Sequence, residues 1–280
     1  MAHQSYALLE TMHYQKFTPA PHLAPFVECY FVWEKRDQLA SPLRIASPPT
    51  GFGSMVFNLG DDYRVRTVKM DRIAPIAFLA GQATARYELD LTGRICMVGV
   101  VFRPAGLNSL FGLPMYEFTD ERMALPDVLG QQVGSLPDQL AEANTDTERV
   151  ALLEGFLGRQ LLRRGQYTDR TDYAANLIAD GRGLFSINTL MNDLYVCRRQ
   201  FERQFLLKVG ISPKYYARIR RVSTLCAQMA TQRWQVTDWH ELIYQFGYYD
   251  QSHFIREFTQ ITGKRPTLYV KANDELTQYL

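Results

Sequence analysis

A repeat with a spacing of 53 residues constrains the fold of this 280-residue chain more than any other feature. Six residues recur 53 positions later with the same identity: Phe201, Arg203, Phe205, Gly210, Pro213 and Tyr216 match Phe254, Arg256, Phe258, Gly263, Pro266 and Tyr269. Each copy has two Phe residues on one helical face, followed by Gly and then Pro, which end one helix and start the next. The repeat predicts two copies of one helical unit. A purely structural duplication is the alternative.

The stretch that starts at Gly247 predicts the second half of a helix-turn-helix. Gly247 can adopt the left-handed conformation of a tight turn, and we expect its φ to be positive. Asp250 can cap the next helix, in which Phe254 and Phe258 would face inward. The outward face then carries side chains that can reach base edges in a major groove: Gln251, Ser252, Ile255 and Arg256.

Residues 247–258, Gly-Tyr-Tyr-Asp-Gln-Ser-His-Phe-Ile-Arg-Glu-Phe, closely resemble the signature of the AraC/XylS transcription regulators, whose DNA-binding domain has two helix-turn-helix units. Residues 198–205 with Gly210, Ser212 and Pro213 resemble the first unit, although Tyr195 stands where the family often has Gly. The resemblance covers about residues 168–270 and implies double-stranded promoter or operator DNA as a partner, with RNA polymerase as a further one. The base or groove contacts it implies are Arg199, Glu202 and Arg203 in the first unit and Gln251, Ser252, His253 and Arg256 in the second. His253 could instead bind backbone or phosphate.

Positive charge is concentrated in the same region. The whole chain has a net charge of +2, but residues 166–280 carry 15 Lys/Arg against 11 Asp/Glu. Eight basic residues lie between residues 198 and 221, opposed only by Glu202. This run predicts a phosphate-binding surface, with a solvated helix face as the alternative. Three members on or near the connecting helix are predicted phosphate ligands: Lys214, Arg218 and Arg221.

Helix signals organise the C-terminal part. The pattern predicts a first helix at residues 172–179, a support helix at 187–194 capped by Ser186, and a recognition helix at 197–209. Ser212 and Pro213 open a long helix to about Gln232. Such a helix spans roughly 30 Å, close to the ~34 Å between successive major grooves on one face of B-DNA. One monomer could therefore place two recognition helices one DNA turn apart.

The N-terminal half has the pattern of a β domain. Strand-like runs separated by turn residues predict a small antiparallel barrel or sandwich, with a short helix at residues 23–26. The strand-like runs cover residues 26–34, 53–59, 63–68, 76–79, 87–91 and 95–102. Residues 17–112 also resemble the cupin-like sensory domains fused to AraC-type modules, through the phrases at 19–27, 55–61 and 98–107.

The chemistry of this half favours binding over catalysis. A metal-dependent cupin enzyme needs clustered His and carboxylate ligands, whereas His3, His13 and His22 precede the predicted barrel strands. We therefore predict no metal, no cofactor and no enzymatic activity. An aromatic set on the strands is a candidate pocket for a small-molecule effector, although such residues are more often plain core: Phe31, Trp33, Phe57, Phe78 and Phe102.

A helix predicted at residues 147–164 follows the strands. Val150, Leu153, Leu157 and Leu161 form an apolar stripe that is expected to pack on the β domain. A homodimer contact through this stripe is the alternative. A loop around residues 164–168 would then join the two domains, at residues 1–165 and 166–280.

The sequence as a whole predicts an α+β fold: an N-terminal cupin-like antiparallel β-barrel with flanking helices, and an all-α C-terminal domain of two helix-turn-helix units joined by a long helix. The widely spaced cysteines and the absence of a signal or 18-residue apolar run favour a cytoplasmic protein with no membrane partner. The predicted function is sequence-specific, ligand-responsive transcription regulation. The alternatives are a cupin-type enzyme, or a sensor whose helical domain serves protein interaction.

Overall fold

The structure is a computed structural model that describes residues 12–35, 37–165, 168–236 and 238–277. Within these residues the N-terminal part consists of antiparallel sheets with flanking helices, and the C-terminal part is helical. The predicted α+β fold is confirmed. The predicted connecting loop includes residues 166–167, which lie outside the described residues, as does His3.

Ten strands lie in the described part of the N-terminal half. They are β1 (His13–Phe17), β2 (Val27–Lys35), β3 (Leu43–Ser47), β4 (Ser54–Asn58), β5 (Arg64–Arg66), β6 (Asp71–Ile73), β7 (Ala77–Ala80), β8 (Tyr87–Leu91), β9 (Ile95–Phe102) and β10 (Arg122–Ala124). They form a six-stranded sheet in the order β1-β2-β9-β4-β7-β10 and a four-stranded sheet in the order β3-β8-β5-β6. Every described pairing is antiparallel.

The central strands of the six-stranded sheet are buried on both faces. Successive residues of a strand point to opposite faces, so Phe78 packs in the core between the two sheets while Leu79 packs in a second core with the helices. Val56 and Phe57 divide between the two cores in the same way. This alternation decides which aromatic residues can line a space between the sheets.

Four α-helices cover the outer face: α1 (Gly106–Phe111), α2 (Leu125–Leu129), α3 (Leu136–Glu142) and α4 (Asp146–Arg164). Short 3-10 helices occupy Met115–Phe118 and Gly130–Gln132. Thr145 and Glu148 form a capping box at the start of α4. The predicted stripe on α4 packs into the core, with Leu153 and Leu157 both fully buried. Val150 and Leu161 are only partly buried, and the homodimer contact given as the alternative stays a prediction.

The sequence-based strand and helix predictions need three corrections. Residues 23–26 form turns and not a helix, because Pro25 within so short a segment cannot donate a backbone hydrogen bond. The strands β1, β3, β6 and β10 were not predicted. These strands are short or largely exposed, so none of them contains a long apolar run. His13 consequently lies on β1 and does not precede the strands.

The C-terminal part has seven helices in its described residues: α5 (Arg170–Asp180), α6 (Ile187–Asp193), α7 (Arg198–Val209), α8 (Pro213–Thr231), α9 (Trp239–Gln245), α10 (Gln251–Thr262) and α11 (Pro266–Thr277). Ser212 caps α8 by accepting from the Tyr215 backbone N–H. The 19 residues of α8 give it a length of about 28 Å. None of the helices in the described part of the chain is long and apolar enough to cross a membrane.

Polar contacts connect the two parts. Arg103 pairs with Asp180 at 2.7 Å and with Glu28 at 2.8 Å. Arg220 on α8 donates to the Thr50 carbonyl oxygen at 2.5 Å, and its guanidinium carbon lies 4.3 Å from the centre of the Phe52 ring. Gly51, between these two residues, has a φ of +80°, and a Cβ there would collide with the Arg220 side chain. The loop at residues 50–52 is therefore fitted directly against α8.

Candidate nucleic-acid interface

The two repeat copies fold as two helix-turn-helix units. In the first, α6 is the support helix and α7 the recognition helix, and in the second these are α9 and α10. Ser186 caps α6 and Asp238 caps α9, 52 positions later. Backbone N–H groups of Glu241 and His240 lower the pKa of Asp238, which therefore stays ionised as a cap.

Both turns contain a residue in the left-handed region. Gly247 has a φ of +65°, as predicted, and Tyr195 at the equivalent place has a φ of +52°. The second turn is one residue longer, because the caps of the recognition helices, Cys197 and Asp250, lie 53 positions apart. The additional residue is Tyr249, which is 93% exposed. Asp250 accepts from the His253 backbone N–H at 2.6 Å, whereas Cys197 makes no side-chain cap bond.

The inward faces of the recognition helices are nearly identical. Phe201 and Phe205 have ring centroids 5.6 Å apart, and Phe254 and Phe258 have theirs 5.5 Å apart. All four rings are buried. Gly210 and Gly263 end the two helices in the left-handed conformation. The repeated residues therefore build the same local core twice.

The outward face of α7 presents the predicted contacts. Arg199, Glu202 and Arg203 are exposed beside a groove that Lys214 also lines. Glu202 accepts from Arg198 at 2.9 Å. Arg199, Arg203 and Lys214 have no hydrogen-bond or ion-pair partner among the described side chains, so they are free to contact an anionic ligand.

The outward face of α10 presents Gln251, Ser252 and Arg256, all exposed. Arg256 likewise has no partner within the described residues, so it does not brace Glu257. His253 is half-buried, lies 5.4 Å from the Tyr248 ring and 3.8 Å from the Glu257 carboxylate. These contacts place the His253 ring against its own unit, and both its predicted DNA contact and the alternative of a backbone or phosphate bond stay predictions.

Two predicted phosphate ligands are engaged inside the protein. Arg218 Nε donates to Glu257 at 2.7 Å, and Arg221 Nε donates to the same carboxylate at 3.1 Å. Glu257 is 2% exposed and also accepts from the Tyr248 hydroxyl at 2.9 Å. Arg218 and Arg221 therefore have a structural role, because a buried carboxylate needs cations as partners. Their predicted phosphate contacts stay predictions.

Two further basic residues, Lys208 and Arg220, contact other parts of the protein and do not belong to the predicted phosphate-binding surface. Lys208 is buried and donates to Asp172 at 3.0 Å, and it also pairs with Asp169 at 2.7 Å. Arg220 faces the Thr50 loop. The exposed basic residues of this run are Arg198, Arg199, Arg203 and Lys214.

A cavity of about 370 Å³ lies between the two sheets. Phe31, Trp33 and Phe78 line it, as predicted, together with Phe52. Tyrosines that were not predicted also contribute: Tyr14, Tyr63 and Tyr87. Burial raises the pKa of Tyr14 to about 12, and it also raises the pKa of Tyr63.

Phe57 and Phe102 do not line the cavity, contrary to prediction. Phe57 follows Val56 on β4 and so points to the opposite face, where it packs with Phe102 in the core beneath the helices. Both are at most 1% exposed. Arg122, which does line the cavity, was missed because β10 is only three residues long. Among the described residues, no three His, Cys, Asp or Glu side chains converge on a metal position.

Comparison with known families agrees with this geometry. Residues 190–272 match a family described as a helix-turn-helix domain, and residues 15–124 match one described as a domain of unknown function (DUF6597). The C-terminal domain is an AraC-type helix-turn-helix domain. This AraC-type domain makes the chain a DNA-binding transcription regulator. No curated protein sequence matches the chain.

Solved structures with both regions include ToxT from Vibrio cholerae. One ToxT structure has a TM-score of 0.45 at 14% identity, with 84% of this chain and 98% of ToxT covered. Another has a TM-score of 0.45 at 13% identity, with 94% and 98% covered. The AraC-like activator CuxR gives a TM-score of 0.28 at 11% identity, with 80% and 90% covered.

Proposed function

We propose that the AraC-type domain binds double-stranded DNA through both recognition helices at once, and that the β domain binds a small molecule in the cavity. The observation that carries the DNA-binding mode is the equivalence of Arg203 and Arg256. Both are exposed, both lack partners in the described part of the chain, and both project away from a buried Phe pair. Two arginines in one repeated geometry suit two similar base contacts.

The mechanism divides the contacts by chemistry. A guanidinium can donate two parallel hydrogen bonds to guanine O6 and N7, so Arg203 and Arg256 would read bases. Lys214 is a point charge at the start of α8 and would contact phosphate. Because α8 connects the two units over about 28 Å, it would hold the recognition helices roughly one DNA turn, ~34 Å, apart.

The cavity supports an effector site. Its volume of about 370 Å³ lies within the usual range of ligand pockets, roughly 300–1,000 Å³, and its lining is largely apolar. Phe52 lines the cavity and also contacts Arg220 of α8. A ligand that displaces Phe52 would therefore act on the helix that spaces the two DNA contacts.

The remaining predictions concern enzymatic activity, further partners and location in the cell. We propose no enzymatic role, because the cavity wall is largely apolar and aromatic. RNA polymerase, a second copy of the chain and a cytoplasmic location stay predictions from sequence.

Selection from a randomised duplex DNA library tests the proposal. The full chain should enrich sequences with two preferred blocks roughly ten base pairs apart. Affinity should fall steeply as salt rises, because phosphate contacts release counterions. Arg203→Ala combined with Arg256→Ala should abolish the enrichment. Arg159→Ala, which removes an exposed arginine of α4, should leave it intact.

Failure to enrich any sequence would contradict the proposal. Binding that ignores salt would do the same, and would favour the alternative in which the helical domain recognises another protein.

A further inference from the structure

Arg122 is a cation on the wall of a largely apolar cavity that two acids, Asp120 and Glu121, also line. In strand pairing, Arg122 is opposite Ala80 and Ala124 is opposite Phe78, so these four residues share one face of the six-stranded sheet. That face lines the cavity through Phe78 and Ala80. Within the described residues, no carboxylate lies within 4.0 Å of the Arg122 side chain. The guanidinium is therefore available to a ligand.

The groups around Arg122 leave its charge uncompensated. Its guanidinium carbon lies 4.4 Å from the centre of the Tyr87 ring. Tyr63 lines the same cavity as Arg122, and burial raises the pKa of Tyr63. The Tyr63 phenol is therefore neutral at physiological pH and supplies no counter-charge. The contact with Tyr87 holds the guanidinium in place without neutralising it.

The two acids at the same end of the cavity have partners of their own. Asp120 accepts from the Thr84 backbone N–H and from the Thr84 hydroxyl, both at 2.7 Å, and lies 3.8 Å from Lys69. Glu121 lies 3.5 Å from Arg72. Their charges are therefore partly balanced outside the cavity, whereas that of Arg122 is not.

The rest of the wall suits a flat apolar group. Phe31 and Trp33 come from β2 and Phe78 from β7. All three belong to the core between the sheets, with Trp33 and Phe31 only partly buried by protein. Aromatic side chains favour stacked or edge-on contacts with another ring.

We propose that the effector is a small aromatic monocarboxylate whose carboxylate binds Arg122 and whose ring lies among Phe31, Trp33 and Phe78. This inference rests on the proposed effector site and specifies its ligand. Arg122 would donate two hydrogen bonds to the carboxylate, a geometry that a planar guanidinium favours. The aromatic wall would remove the ligand ring from water.

Three probes of equal shape and different charge test the inference. The full chain is titrated with 3-phenylpropionate, 3-phenylpropionamide and 3-phenylpropylammonium, and binding is followed by calorimetry and by tryptophan fluorescence. The carboxylate should bind at least about tenfold more tightly than the amide or the ammonium, since its hydrogen bonds are charge-assisted. Trp33→Phe should remove most of the fluorescence change.

Substitutions at Arg122 then test whether this residue causes the preference for the carboxylate over the amide. Arg122→Gln should abolish the preference, so that carboxylate and amide bind equally. Arg122→Lys should retain part of the preference. Arg64→Gln is the matched control, because Arg64 is an arginine of β5 that pairs with Asp71 and does not line the cavity. It should keep the full preference, and melting temperatures should show that each variant is folded.

Equal binding of carboxylate and amide, tighter binding of the ammonium, or an unchanged preference in Arg122→Gln would overturn the inference. So would failure of all three probes to bind at millimolar concentration. Library selection without any probe is run in parallel. Loss of sequence enrichment there would contradict the DNA-binding proposal, whereas intact enrichment with no carboxylate preference would contradict only the ligand assignment.

Discussion

The Arg221 guanidinium on α8 lies 3.0 Å from the Glu257 carboxylate on α10. Arg218 binds the same carboxylate, so two cations of the connecting helix hold one buried anion of the second recognition helix. The equivalent residue in α7 is Gln204, 53 positions earlier. Ion pairs thus fix the orientation of α10 relative to α8. The orientation of α7 is not fixed in this way, because Gln204 carries no charge.

Replacing Glu257 by Ala should destabilise the second unit by about 3–5 kcal/mol, because two partly buried arginines lose their partner. Native-state hydrogen exchange of the α10 amide groups measures this change. Glu202→Ala is the control, since Glu202 forms only an exposed pair within α7, and it should cost at most about 0.5 kcal/mol. Equal effects of the two substitutions would contradict the structural role of Glu257.

Lys214→Ala should weaken binding to all DNA sequences alike and reduce the slope of log affinity against log salt by about 1. The reason is that Lys214 is exposed at the start of α8 and has no partner in the described part of the chain. Binding titrations at several salt concentrations measure both quantities. Arg218→Ala should instead lower stability, and an unchanged slope in Lys214→Ala would refute the phosphate assignment.

Gly247→Val should destabilise the second unit by at least about 1–2 kcal/mol, the cost of a side chain in the left-handed region. A Cβ at Gly247 would lie 3.5 Å from the nearest atom, Leu184 Cδ2. The cost is therefore conformational and not a collision. Urea denaturation measures it, and a change near zero would show that the turn adopts another conformation in solution.

Tyr195→Gly should increase the stability of the protein, whereas Gly247→Val should lower it. Tyr195 has a positive φ and is 90% exposed, so Gly relieves strain and removes little packing. We expect a gain of roughly 0.5–1 kcal/mol, the left-handed penalty less the additional freedom of Gly in the unfolded chain. Urea denaturation measures the change, and Gly247→Val, at the equivalent position of the second turn, is the matched comparison. A loss of stability in Tyr195→Gly would mean that the Tyr195 ring makes a stabilising contact.

Arg203→Lys and Arg256→Lys should each relax base preference at one position by about 1–3 kcal/mol, because lysine lacks the planar fork. Non-specific binding should change little, since the charge is kept. Library selection before and after each substitution measures the preference, and the two affected positions should lie roughly ten base pairs apart. An equal loss across all sequences, or a lower melting temperature with preference unchanged, would favour a bracing role.

The helical half could be predicted closely because its signals are local. Ser186, Asp250, Gly247 and Pro213 each determine a cap, a turn or a helix start within a few residues, and each does so as predicted. The cavity depends on register, which a single strand does not reveal. Phe57 and Phe78 look equivalent in sequence, yet pairing places them on opposite faces of the sheet.

The ion-pair partners of the buried basic residues could not be predicted from the local sequence pattern either. Lys208, Arg218 and Arg221 follow the same helical periodicity as the residues that face solvent. Their partners Asp172 and Glu257 lie 36 to 39 positions away in sequence. The packing of α5 against α7, and of α8 against α10, brings these charges together.

The bond between Arg220 and Thr50 joins residues 170 positions apart, and this separation orders the events of synthesis. At about 5–20 residues per second, Arg220 is added roughly 10 to 30 seconds after Thr50. The strands around the cavity have all been made by then, so the β domain has time to fold before α8 is complete. A newly made chain would therefore present a finished cavity before its DNA-binding half is in place, and a ligand present during translation would meet the first half alone.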